Sequence, residues 1–173
     1  MQSFVRGQRI KLPDLTSSAT IRVRLDFTVR SFMRVDYSCF ALDANGKQTN
    51  DRFLVTGANP VAPGDAIQWK EREKNDVDFL ISLADIPHEF QRLVFTVTLE
   101  RDEAMSNLLE GVARVYDEAR ELVCFPMTGT DFLNEKAIIA LEIYRKECWR
   151  IGAVGQGFDG GLSALKRHFG SGS

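Results

Sequence analysis

From Ile21 the chain alternates strictly, with Ile21, Val23, Leu25 and Phe27 on one face and Arg22, Arg24, Asp26 and Thr28 on the other. That period of two predicts a half-buried strand. A second run, Val35 to Leu42, ends at Asp43-Ala44-Asn45-Gly46, whose Asn-Gly supplies the positive φ angles a tight hairpin needs, so the two runs are expected to pair or lie side by side. Phe79, Ile81 and Leu83 alternate again, Ile86-Pro87 marks a turn, and Leu93, Phe95, Val97 and Leu99 form the next apolar face. Val112 to Tyr116 and Leu122 to Phe125 flank the polar turn Asp117-Glu118-Ala119-Arg120. Many short strands separated by turn signals predict a mainly β chain folded as a two-sheet antiparallel sandwich.

One segment breaks the period. After Thr130-Asp131, a candidate N-cap, Leu133, Ala137, Ile138, Leu141, Tyr144 and Cys148 recur at spacings of three and four, which predicts an amphipathic helix of about four turns. A short C-terminal helix is expected from Leu162 to Phe169, with Gly170 as the glycine past its end.

Composition narrows the classes. The 173 residues fit one domain, expected over residues 1–170, followed by a flexible Gly/Ser tail at 171–173. A net charge of −2 with both signs interspersed does not favour nucleic acid, and no apolar run is long enough to cross a membrane as a helix. The opening Met1-Gln2-Ser3-Phe4-Val5-Arg6 lacks the apolar core of a secretory signal, and Cys39, Cys124 and Cys148 stand at wide spacing, so a reducing, cytoplasmic setting is expected.

The run from Trp149 through Gly155-Gln156-Gly157-Phe158-Asp159-Gly160-Gly161 to Leu165 pairs a glycine-dense turn with a strand before it and a helical run after it. It resembles the C-terminal signature of the TerD family of tellurite-resistance and stress-response proteins, and Gly7-Gln8-Arg9-Ile10-Lys11-Leu12 resembles that family's opening strand. The resemblance implies a two-sheet sandwich with a helix packed on it late in the chain. It also implies partners among other tellurite-resistance and stress-response proteins, some of them membrane-associated.

It implies calcium ligands as well. In the family these come from Asp-Leu-Asp-Ala-Ser, Gly-Asp-Asn and Asp-Asp-Glu stretches. Here the first reads Arg34-Val35-Asp36-Tyr37-Ser38, the second Gly64-Asp65-Ala66, and the third aligns loosely with Asn75-Asp76-Val77-Asp78. Asp36, Asp65 and Asp76 are the metal candidates that remain, and Arg34 brings a cation to where the ion would sit. Calcium takes six to eight oxygens, so the residues favour a solvated acidic rim with weak or lost binding over a calcium sensor or buffer.

A second candidate surface is Trp69 with Lys70, Arg72 and Lys74, either a solvated hairpin tip or a recognition loop with an aromatic anchor and a charged rim. The glycine turn invites a phosphate-loop reading, but no Lys-Ser/Thr pair follows it and no βαβ unit surrounds it. Its glycines are read as conformational, with a small-molecule or nucleotide site as the alternative. His88 and His168 have no Ser or Cys neighbour in a nucleophile motif, so a non-catalytic binding or scaffold module without a cofactor is expected.

Overall fold

The structure is a computed structural model that describes residues 1–30, 33–73, 75–100 and 103–170. Among the described residues twelve strands and one α-helix follow in order: β1 (Gln2–Ser3), β2 (Arg9–Lys11), β3 (Thr20–Val29), β4 (Val35–Leu42), β5 (Leu54–Val55), β6 (Ile67–Glu73), β7 (Asp76–Ser82), β8 (Arg92–Leu99), β9 (Leu108–Tyr116), β10 (Glu121–Thr128), β11 (Ala137–Lys146), β12 (Cys148–Phe158) and α1 (Leu162–His168). They form two six-stranded sheets, β1-β10-β9-β3-β7-β6 and β2-β12-β11-β8-β4-β5. Every pairing is antiparallel except that of β1 with β10.

The alternation of β3 does what its period requires. Ile21, Val23, Leu25 and Phe27 enter the core between the sheets, and the core is bridged by an edge-on contact of Phe79 in the first sheet with Phe95 in the second, 5.4 Å between centroids. A smaller apolar cluster lies outside the second sheet, where Leu165 and Phe169 of the α1 region cover Phe40, Leu42, Leu54, Val94 and Ala137. Gly170, at φ 80°, ends that helix in the left-handed conformation expected of a glycine there.

Four expectations change. The segment expected as a four-turn amphipathic helix is β11, a central strand between β8 and β12. A bulge between Ile139 and Leu141 shifts the parity of the strand, so Ile138 and Leu141 reach the same core at a spacing of three, which mimics the helical repeat. Thr128 and Asp131 cap only a single 3₁₀ turn.

The runs expected to pair, β3 and β4, lie in opposite sheets and face each other across the core, where the Tyr37 hydroxyl accepts from the Phe27 N–H at 2.9 Å. Alternation identifies a strand's buried face but not its partner. The Asp43–Lys47 turn forms, with Gly46 at φ 75°, but it leads into irregular chain and a 3₁₀ turn before the two-residue β5. The Trp69 run is an edge strand, β6, and not a loop, and Lys74 lies outside the described residues.

Candidate functional site

A large hollow lies along the side of the sandwich where the two sheets' edges approach. It is a groove of about 630 Å³ between β4 and β6, lined by Arg34 to Ser38, Thr56 to Ala58, Trp69, Glu71, Asn75, Val77 and Leu162. Its shape follows from the topology. β4 and β6 stand at or next to the edge of their sheets, and β5 covers only Cys39 and Phe40 of β4 before the chain turns away at Thr56.

Trp69 forms one wall. Its side chain is half-buried, and a Cβ added at Gly57 would stand 3.3 Å from the indole Cζ2, so the glycine lets the ring lie against the backbone. The Trp69 backbone N–H donates to Pro60 O at 2.7 Å, but its indole Nε1 is buried without a hydrogen-bond partner among the described residues. Asn75 closes one end. Its backbone is left-handed at φ 62°, which Asn tolerates better than most residues. Its Oδ1 accepts from the Val35 N–H at 3.0 Å and its carbonyl from the Tyr37 hydroxyl at 2.5 Å. On the rim, Arg34 Nε stands 3.6 Å from Asp36 Oδ1, both side chains more than half exposed. Partial burial pushes the Asp36 carboxyl above its ordinary value, Arg34 pulls it back, and Glu100 adds to the rise.

The metal candidates do not converge. Asp36 is on the groove, whereas Asp65 sits exposed at the other end of β6, which at seven residues puts it about 23 Å along the strand from Asn75. Asp76 points to the outer face of the first sheet, where Arg72 binds its Oδ2 and its Oδ1 is buried without a partner among the described residues. Burial raises its carboxyl, with Arg72 opposing. Among the described residues no group of three or more His, Cys, Asp or Glu side chains is placed to hold a metal ion. The groove's two carboxylates, Asp36 beside a guanidinium and Glu71, with an amide oxygen already accepting a hydrogen bond, fall short of the six to eight oxygens calcium takes.

Of the recognition candidates, Trp69 lines the groove, while Lys70 and Arg72 alternate to the opposite face of β6, Arg72 pairing with Asp76. Sequence reasoning missed the backbone of Tyr37 and the Gly57 turn. The Thr56-Gly57-Ala58-Asn59 stretch carried a turn signal, but nothing local said that β5 would stop there.

The profile of the TerD domain matches residues 1–169. This chain belongs to the TerD family. It is 30% identical over 188 residues to "General stress protein 16U" of Bacillus subtilis (strain 168), covering 97% of this chain and 96% of that one. It is 26% identical over 149 residues to "Tellurium resistance protein TerD" of Serratia marcescens, covering 79% of this chain and 77% of the other. A crystal structure of a homologue of telluride resistance protein (TerD), SCO6318 from Streptomyces coelicolor A3(2), shares the fold at a TM-score of 0.66 and 14% identity, covering 84% of this chain and 94% of that one. Within this TerD domain the glycine signature divides in two. β12 runs on to Phe158 with Gly155 at φ 60° inside it, and only Asp159 to Gly161 turn the chain into α1.

Proposed function

We propose that this TerD domain is a non-catalytic binding module of a tellurite-resistance or general stress-response system, and that the lateral groove is the surface that engages its partner. The observation that carries the reading is the groove between two sheet edges, with the apolar wall of Trp69, Val35 and Val77 and the polar rim of Arg34, Asp36 and Glu71. Buried aromatics inside a polar rim are the usual anatomy of a protein contact. The names of the Bacillus and Serratia relatives supply the biological setting. The partners are other proteins of that set, some of them membrane-bound, and the setting is the cytoplasm, in keeping with three free cysteines. No helix among the described residues is long and apolar enough to cross a membrane. Both histidines are engaged elsewhere: His88 Nδ1 contacts Arg145 at 3.2 Å, and the His168 ring packs beside Phe158 and Phe169.

The groove works without calcium in this reading, because Arg34 already supplies the positive charge that Asp36 faces. Two measurements test it. In a bacterial strain lacking its own copy, the wild-type chain restores survival on tellurite, and the double variant Asp36→Lys, Glu71→Lys, folded with an unchanged Tm, does not. Full rescue by the double variant refutes the groove. At about 0.1 mM calcium the expected Tm shift is near zero, whereas a micromolar site would raise Tm by roughly 5 to 11 °C. An EGTA-reversible rise lost in Asp36→Asn would replace this reading with a calcium-responsive module.

A further inference from the structure

The backbone along the groove is as informative as its side chains. β4 is eight residues long and pairs with β8 along its whole length, but on its other side β5 covers only Cys39 and Phe40. The direction of each backbone group follows from bonds already made. The carbonyls of Arg34 and Leu42 accept from Glu100 and Gln91, on the β8 side. The N–H groups of Val35 and Asp43 donate the other way, to Asn75 Oδ1 and to Lys47 O. Alternation then turns the N–H and C=O of Tyr37, and the C=O of Val35, toward the groove, where no described strand faces them. Asn75 Oδ1 occupies the place a neighbouring strand's carbonyl would take at Val35, so a side chain satisfies one position of a ladder that otherwise stops.

We propose that the groove binds an extended segment of a partner protein as an added strand, antiparallel to β4 and in line with β5, with a basic side chain beside Asp36. This rests on the groove reading above and goes further by naming the recognition mode. Main-chain bonds to Tyr37 and Val35 supply affinity, and the alternating side chains supply choice. Residues facing inward meet Trp69 and Val77, so apolar side chains fit there. Charge selects the outward positions. Among the described residues the one ion pair of Asp36 is with an exposed Arg34 at 3.6 Å, and Glu71 adds a second carboxylate to the groove. The edge of β6 is the poorer site, because Pro60 and Ala62 already bond to Trp69 and Ile67 over its first half.

The probe is a capped peptide of alternating lysine and valine, compared with its glutamate-valine counterpart and with a version N-methylated at the central valines. Each is titrated into the full chain by ¹⁵N NMR. With the lysine peptide, the Tyr37 amide and the Trp69 indole signals move together, and hydrogen exchange at Tyr37 slows by about tenfold or more. N-methylation, exchange of lysine for glutamate, and Asp36→Lys each weaken binding by about tenfold or more. The N-methylated peptide binding as tightly, with the groove signals still moving, overturns strand addition and leaves the groove reading standing. Protection at Glu71 without Tyr37, or no movement in the groove at millimolar peptide, also overturns it. Survival on tellurite restored in full by the groove double variant sinks the groove reading, whatever the peptides do.

Discussion

On the outer face of the first sheet, Asp78 holds Arg24 through two bonds of 2.8 and 3.1 Å and stands 3.8 Å from both Arg22 and Arg72, while Arg22 and Arg24 lie over the Tyr116 ring. On the outer face of the second, Leu165 and Phe169 close over a second apolar cluster. The first sheet thus carries a charged outer face, buried only around Asp76 and Asp78, and the second carries an apolar layer along much of its middle. Stability follows that division, because ion pairs gain little once the cost of burying their carboxylates is met, whereas packed aromatics contribute a great deal.

The sharpest break in the comparison is Phe169→Ala, which empties the space against the Phe40 ring at 4.9 Å. The expected loss is about 3 to 5 kcal/mol, a fall in Tm of roughly 6 to 20 °C by thermal melting. Arg22→Ala on the charged face is expected to lose no more than about 1 kcal/mol. Equal losses would refute the division.

Gly160→Val follows. Gly160 sits at φ 137°, and a Cβ there would stand 2.4 Å from the Ala164 Cβ, so the turn that seats α1 would have to open. The expected loss is about 1 to 3 kcal/mol in urea unfolding, whereas Gly161→Ala, at φ −88°, adds no backbone strain of this kind. A harmless Gly160→Val would mean that the turn is not what positions the helix.

The smallest effect belongs to the charged face and depends on pH. Burial holds the Asp76 carboxyl above its ordinary 3.8, so the folded chain keeps that proton more tightly than the unfolded chain. The resulting stabilisation is fully present below the unfolded value and is lost as pH rises through the raised folded one. Asp76→Asn removes this term. Between about pH 3 and 7 the wild-type Tm should therefore fall relative to that of the variant, and a constant gap would contradict the assignment.

The same division explains what the sequence revealed. β3 and β9 were legible because one side of each is buried and the other more open and polar, which writes the period of two into Ile21 to Thr28, and β7 was legible from Phe79 and Ile81 on its inner face. β11 was illegible for two reasons. Ala137 and Ile139 pack under α1 while Ile138 and Leu141 enter the main core, so both faces are apolar, and the bulge then imposes a spacing of three. The groove was half legible. Trp69 and Asp36 stand out as residues, but their meeting depends on β4 and β6 belonging to different sheets and on β5 ending early, which are facts of topology. Asp65 and Asp76 carried the right chemistry to the wrong places for the same reason.

Of these twelve strands, the two synthesised earliest wait longest for their partners. β1 joins β10 and β2 joins β12, with Ile10 opposite Ile151, so both sheets are completed by pairing early segments of the domain with late ones. At roughly 5 to 20 residues per second, Ile10 waits about 7 to 28 s for Ile151 to be synthesised. Hairpins such as β9–β10 and β11–β12 can close as they emerge, but the sandwich itself cannot be sealed until β12 has been made. Through that interval the nascent chain carries unpaired apolar strands, and its yield in a cell is set by what shields them during synthesis.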